Sequence, residues 1–234
     1  MFTQIYYLTY EFLKDKLYFK ENIASNMDNN YYWSDDWSEE FYVALAKAGF
    51  ISTTYDTKDA LVLLPELQFD YAVLDFKNLH ISKKVKKLLK KEDYIFTINS
   101  RFDEVLEKIS SQHKDNWLKE NYIELLKKLF HNDKLNDFKI VSVELISKTK
   151  DELIAGEIGY MINKTYTSLS GFSSKEKHYN NYGTLQLVLL SNYLEKNNFS
   201  FWNLGHPYMQ YKTKLGAKIL TRDEFLKRWN NSIK

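Results

Sequence analysis

Four polar side chains between Gly156 and Leu226 stand in apolar company: Glu157, Gln186, Asn203 and His206. Glu157 sits in a strand beside Ala155, Gly156, Ile158 and Gly159, and Gln186 lies inside a helix that is apolar nearly all round. Asn203 and His206 flank Gly205 at a strand end. A polar group in such surroundings needs a partner or a task. Each could be an ordinary buried hydrogen-bond partner. Their grouping on one strand–helix–strand unit points instead to a site, with Glu157 or His206 handling protons. Gly183 belongs to the helix start Asn181–Thr184, where free backbone N–H groups suit a phosphate or a developing oxyanion, unless the glycine serves only as a cap. That combination fits acyl transfer.

Several other chemistries are excluded. The chain has no Cys, which removes disulfides, thiolate catalysis and Cys-based zinc sites. His80, His113, His131, His178 and His206 show no metal-ligand spacing, so no metal site is expected. No nucleophile elbow, P-loop or dinucleotide fingerprint occurs, and Ser170 has no base marked by sequence. The net charge of +2 predicts no nucleic-acid partner by itself. Local charge is more informative, because Lys83, Lys84, Lys86, Lys87, Lys90 and Lys91 crowd one short helix. They repel one another and favour an anionic partner, though such a face is often merely solvated. With 18 Tyr, 15 Phe and five Trp, the aromatic content allows either core filling or a site that stacks planar groups. No apolar run reaches bilayer length and Met1 to Phe12 lacks a signal-peptide pattern, so a soluble cytoplasmic protein is expected.

The elements that must position these residues follow from periodicity. YYLTYEF near the start reads as a strand, and Ser38 should cap a helix over Glu39–Lys47, with Gly49 beyond its end. ALVLLP and DYAVLDF read as short buried strands. A helix follows Ser82, YIFTINS is a strand, and two amphipathic helices come next. From Phe138 the chain turns strand-rich, with a plausible antiparallel meander and then a deeply packed helix over Thr184–Glu195. The expected fold is α+β: a small N-terminal mixed α/β subdomain over residues 1–65, and a domain over 66–234 built on a mostly antiparallel sheet flanked by helices.

From Tyr32 to Leu226 the chain resembles the leucyl/phenylalanyl-tRNA–protein transferase family. YWSDDWSEEFYVALAKAGFIS is similar to the family's GGDLSPERLLEAYRRGIFPW without its glycines, and HISKKVKKLLKK is similar to its HxSRSLRRxLRR helix. DNWLKENYIELLKKLF resembles the segment around the family's TWI motif and sets Trp117 at its tryptophan. LIAGEIGYMINKTYTSLSGFS lines up without gaps on LVGGxYGVxxGxxFxGESMFS, with Leu169 standing at the glutamate. KLGAKILTRDEFL resembles the ending SLGAxxIxRxxFL. Upstream of it, Asn203 is the counterpart of the Asp in an Asp-x-Gln strand end, with a one-residue offset, and His206 or Gly205 that of the Gln.

The resemblance implies a GNAT-like catalytic domain that needs no cofactor. It would move an amino acid, Leu- or Phe-like, from aminoacyl-tRNA to the N-terminal amine of an acceptor protein or peptide. It implies that Trp33, Trp117 and Tyr166 line the terminal adenosine and its aminoacyl group, with Phe172 in a side-chain pocket and Ser168, Gly183 and Gln186 also contacting substrate. Glu157, Asn203 and His206 would orient the amine and relay protons, and the lysine helix would bind acceptor-stem phosphates. Two alternatives follow other features. An acyl-CoA-dependent GNAT acyltransferase would require a Gln/Arg-x-x-Gly-x-Gly/Ala loop, which the helix start at Gly183 lacks. A non-catalytic tRNA-binding relative would explain the missing carboxylates at Leu169 and Asn203.

Overall fold

The computed structural model describes residues 5–112 and 117–234, which leaves His113 outside the described residues. The first elements are β1 (Tyr6–Tyr7), α1 (Tyr10–Lys14), α2 (Lys16–Tyr18), a π-helical turn (Phe19–Ala24), β2 (Tyr32–Trp33), α3 (Glu39–Lys47), β3 (Ile51–Asp56), β4 (Leu61–Glu66) and β5 (Asp70–Leu74). A 3-10 turn (Phe76–Asn78), α4 (Lys83–Leu89), β6 (Tyr94–Ile98), α5 (Phe102–Gln112), α6 (Glu120–Phe130), β7 (Phe138–Ser147), β8 (Leu153–Ile162) and β9 (Thr165–Ser173) follow. Then come a 3-10 turn (Lys177–Tyr179), α7 (Tyr182–Lys196), β10 (Phe201–Gly205), α8 (Gln210–Leu215), β11 (Lys218–Thr221) and α9 (Arg222–Ser232). These elements divide into two compact units. One comprises residues 1–71, 115–136 and 220–234, and the other residues 72–114 and 137–219. This division is discontinuous in sequence, unlike the consecutive blocks 1–65 and 66–234 that patterning suggests.

The first unit gathers α6 and α9 around α3 and the antiparallel β3–β4 pair. Ser38 caps α3 through a hydrogen bond from the Phe41 N–H, and Gly49 takes a φ of +93° just past its end, both as expected. YYLTYEF departs from expectation: only Tyr6–Tyr7 is strand, because the Thr9 hydroxyl accepts from the Phe12 N–H and starts a helix at Tyr10. Amphipathic α6 belongs here through Tyr122, whose hydroxyl lies 2.8 Å from that of Tyr42 and donates to the Ser52 carbonyl. Arg222, the arginine of the LGAKILTR run, is 1% exposed. Its guanidinium donates to the carbonyls of Ala24, Asn26, Asn29, Leu67 and Gln68. One planar fork therefore holds two stretches of irregular backbone whose acceptors would otherwise lack partners.

The second unit is built on a seven-stranded sheet of order β11-β5-β10-β9-β8-β7-β6, with the unit boundary falling inside β5 and β11. Strands β6 to β9 form the expected antiparallel meander, β10 pairs antiparallel with β5, and the β9–β10 step is parallel. A parallel step needs a crossover, and α7 supplies it. The long strands β7 and β8 are buried along nearly their whole length, as strands covered on both faces must be. One face packs Val105 of α5 near Gly156 and Phe172. The other carries a core of Val143, Leu145, Tyr166, Trp202 and Leu204 against Leu185 and Val188 of α7. This is the mostly antiparallel, helix-flanked α+β architecture expected from the sequence. No helix among the described residues is long and apolar enough to cross a membrane.

Replacing Arg222 by Met should lower stability by about 3 kcal/mol or more, since each deserted buried carbonyl costs roughly 1–3 kcal/mol. Urea denaturation of the two proteins measures the difference, and equal midpoints would show that Arg222 organises nothing.

Candidate active site

Glu157 lies in mid-strand on β8, paired with Val143 of β7 and Gly171 of β9, and is 4% exposed. Its Oε1 accepts from the hydroxyls of Tyr166 and Ser168, each at 2.8 Å, and its Oε2 from Gln186 Nε2 at 3.4 Å. The Ser168 oxygen also accepts from Trp202 Nε1 at 2.8 Å, and the Trp202 ring meets that of Tyr166 edge-on at 5.9 Å. Two backbone features allow this. A Cβ at position 159 would lie 2.3 Å from the Tyr166 hydroxyl oxygen and 2.5 Å from the Thr167 carbonyl oxygen, so only glycine admits the tyrosine there. A register shift pairs Ile158 with Ser170 but Gly159 with Ser168, which makes Leu169 the extra residue of a β-bulge. The bulge keeps Ser168 on the face of Glu157.

The end of β10 carries the second half of the site. Gly205 takes a φ of +72°, and its N–H donates to Asn203 Oδ1 at 2.9 Å. Lys212 of α8, only 5% exposed, donates from Nζ to the Leu204 carbonyl at 2.5 Å and the His206 carbonyl at 2.7 Å. Its ammonium thus clamps the backbone on both sides of the bend. Glu157 and Lys212 attract one another electrostatically, and the Tyr211 hydroxyl also feels the Glu157 charge.

Burial dominates the ionisation of the group. It pushes the Glu157 carboxyl up, against the opposing effects of Tyr166, Ser168, Gln186 and the Lys212 charge. Burial also lowers Lys212 to about 8, with Glu157 acting in the opposite direction. Tyr166 is raised well above the ordinary tyrosine value, first by burial and then by the Glu157 charge. Tyr211 is pushed up to about 12 for the same two reasons. Burial thus raises the proton affinity of the carboxyl and lowers that of the ammonium, the kind of perturbation that marks a candidate site.

Of the residues singled out from sequence, Glu157, Tyr166, Ser168 and Gln186 come together. Asn203 does not join them: it alternates with Trp202 and Leu204, and its Nδ2 reaches Thr167 Oγ1 at 3.4 Å across the parallel step. His206 takes part through its backbone carbonyl, while its ring lies 4.5 Å from that of Tyr208. Phe172 faces away, because a Cβ on Gly156 would lie 2.9 Å from its ring and 3.2 Å from Val105 of α5. Gly183 sits in the first turn of α7, where a Cβ would meet that of Ser173 at 2.9 Å, so close helix–strand packing requires its glycine. Trp33 and Trp117 belong to the first unit. There Trp33 packs on Tyr7 with ring centroids 4.6 Å apart, and Trp117 meets Tyr122 edge-on. The six lysines of the α4 region are exposed, with Ser82 capping the helix, Lys90 at its C-cap and Lys91 beyond it.

Lys212 and Trp202 escape the sequence reading. A lysine in QYKTKL looks like ordinary solvated helix surface. Its one signal is the three-residue spacing to buried Leu215, which puts both on the inward face of α8. No group of three or more His, Asp or Glu among the described residues could hold a metal ion.

Gly159→Ala should break the hydrogen bond from Tyr166 to Glu157 and destabilise the protein by about 1–3 kcal/mol through overpacking. Denaturation curves and the ring-proton NMR signals of Tyr166 test this, and an unchanged ring environment would refute the role given to Gly159.

A family model described as leucyl/phenylalanyl-tRNA protein transferase matches residues 73–230. Two relatives carry that name. The one from Pseudoalteromonas translucida (strain TAC 125) is 31% identical over 159 residues, which is 66% of this chain and 61% of the relative. The one from Flavobacterium psychrophilum (strain ATCC 49511 / DSM 21280 / CIP 103535 / JIP02/86) is 26% identical over 159 residues, 66% of this chain and 70% of the relative. Among solved structures, FemX is similar at 11% identity and a TM-score of 0.49, covering 83% of this chain and 70% of its own. The C-terminal domain of a putative lysylphosphatidylglycerol synthetase from Agrobacterium fabrum is similar at 12% identity and a TM-score of 0.47, covering 81% and 65%. The family match takes in β9, α7, β10 and α8, and with them the whole Glu157 group. On that match, which spans more than half its length, the chain belongs to the leucyl/phenylalanyl-tRNA protein transferase family.

Proposed function

We propose that this protein transfers an amino acid from aminoacyl-tRNA to the N-terminal amine of an acceptor protein. One observation carries the reading within the family: Glu157 is a buried carboxylate hydrogen-bonded to Ser168, the immediate neighbour of Leu169. Leu169 stands where the family pattern has its glutamate, so the carboxylate reaches the same neighbourhood from the adjacent strand. A cytoplasmic setting belongs to the same proposal, since charged tRNA is the donor.

The reaction makes modest demands. An α-amine with a pKa near 7.7–8.0 is already partly neutral at pH 7, and the tRNA ester is activated. The amine nitrogen attacks the ester carbonyl, a C–N bond forms and a tetrahedral oxyanion appears. The oxyanion then collapses, the C–O bond to the ribose breaks, and the nitrogen's proton passes to the ribose oxygen. Glu157 is the group assigned to take that proton and return it. Its raised proton affinity suits the task, because a stronger base takes up a proton more readily. Tyr166, Ser168 and Gln186 hold the carboxylate rather than touch the adenosine. The exposed lysines around α4 are assigned to acceptor-stem phosphates.

Incubation with total charged tRNA and peptides bearing basic N-termini should add the mass of one amino acid to the peptide. Absence of any addition with the full charged set would overturn the proposal. Glu157→Gln should slow transfer by roughly 100-fold or more with the fold intact, as expected for losing a proton-transfer group. An unaltered rate and pH profile would reject that role. Changing Lys83, Lys84, Lys86 and Lys87 to Ala should weaken tRNA binding and flatten its salt dependence by about 0.9 in log–log slope per lost phosphate contact. Filter binding from low to high salt measures it.

A further inference from the structure

The first unit presents an aromatic face that the transfer chemistry does not use. Tyr7 and Trp33 are partners in the parallel register of β1 and β2, and both stand outward, 43% and 36% exposed. Their rings lie 4.6 Å apart at 53°, so they meet at an open angle instead of stacking flat. Two residues beyond Trp33, past the fully buried Ser34, strand alternation returns Asp35 to the same outer face. The Tyr7 hydroxyl donates to Asp35 Oδ1 at 2.6 Å and fixes the carboxylate beside the rings. A carboxylate accepts at both oxygens, so Oδ2 remains to accept from a second donor. The backbone beneath is held on both sides. The Trp33 carbonyl accepts from the Leu8 N–H, and Ser34 exchanges two hydrogen bonds with Leu63 of β4.

Charge decides what such a face receives. Residues 28–46 contain Asp28, Asp35, Asp36, Glu39 and Glu40 but no Lys, Arg or His, in a chain whose net charge is positive. Residues 5–13, around β1, carry Glu11 and no basic residue either. Lys14, the next base along the chain, lies 3.8 Å from the Glu11 carboxylate and over the Tyr10 ring. The Tyr7 hydroxyl feels this balance: its pKa is raised first by the hydrogen bond to Asp35, then by burial and by the charges of Asp35 and Asp36. A nucleotide stacked on Trp33 would bring its phosphate to these carboxylates, and their repulsion opposes the adenosine role that the resemblance gives this tryptophan. A cation meets the opposite balance. Ring faces attract it, Trp most strongly, and a carboxylate beside the rings pairs with it.

We propose that Tyr7, Trp33 and Asp35 form a docking site for a basic side chain, Lys or Arg, presented by a polypeptide partner. The inference goes beyond the transfer reading and does not depend on it, because the ligand is recognised by a side-chain charge and needs no N-terminal amine.

The probe is an N-acetylated, C-amidated octapeptide of alternating lysine and glycine, which has no α-amine to accept an amino acid. Its glutamate counterpart and a short oligoadenylate serve as comparisons. Indole N–H NMR signals report binding, with Trp33→Phe identifying the Trp33 resonance. The lysine peptide should shift that resonance saturably, and the glutamate peptide and the oligoadenylate should leave it in place. Asp35→Asn and Trp33→Leu should each raise the dissociation constant of the lysine peptide about threefold or more. Glu195→Gln, which removes an exposed carboxylate of the second unit, should leave it unchanged. A Trp33 signal unmoved by the lysine peptide overturns the proposal, and one moved by oligoadenylate alone replaces it with base stacking. If both probes move it, Asp35→Asn decides: weaker peptide binding supports the cation site, and unchanged peptide binding refutes it. Equal weakening by Asp35→Asn and Glu195→Gln reduces the effect to net charge and also overturns it. Asp35 is exposed, so its variant carries the test should Trp33→Leu fail to fold. Failure of the transfer assay leaves each of these results standing.

Discussion

A carboxylate removed from water on the face of a β-sheet sets the terms for the second unit. Burying an unpaired carboxylate is prohibitively costly, so the surroundings must offer hydrogen bonds, an opposite charge, or both. Tyr166 and Ser168 supply two bonds and Gln186 a third. Each of these has its own structural requirement. Tyr166 needs a glycine at 159, Ser168 needs the bulge at Leu169, and Gln186 spends a position in an otherwise apolar helix. Trp202 closes the far side by donating to Ser168.

The sheet places this group where its pairing changes. Up to β9 the strands run antiparallel, and at β9–β10 they become parallel through α7. Tyr166 and Ser168 lie on one strand of that step and Trp202 and Leu204 on the other. The end of β10 then bends at Gly205, where Asn203 holds the bend from within the strand and Lys212 holds it from α8. A strand end fixed from two sides keeps its geometry. Asn203 therefore acts on this strand end from the opposite face of the sheet, through the backbone it orders.

Much of this was legible in the sequence, for identifiable reasons. Ser38 and Ser82 mark helix starts because their hydroxyls satisfy N–H groups that have no helical partner. Glu157 and Gln186 were visible because a polar residue in an apolar run has few innocent explanations. Phe172 and Asn203 were not, because facing depends on alternation from a particular register, and a single bulge reverses it. Lys212 resembled the many solvated lysines around it. The first unit draws residues 115–136 and 220–234 to the N-terminal segment through contacts distant in sequence. The Tyr42–Tyr122 pair and the Arg222 fork are two of them, and neither has a periodicity to betray it.

By itself, the sequence determined most of the element types, the family and the presence of a polar cluster between Gly156 and Leu226. These rest on local propensity, on periodicity and on motifs that are contiguous along the chain. The tertiary structure decided which members of that cluster meet. Side chains converge through strand register, a bulge and the docking of α8, all of which are relations between segments. That is why Glu157 was readable from its own neighbours, while the buried ammonium of Lys212, 55 residues further along the chain, emerged only with the fold.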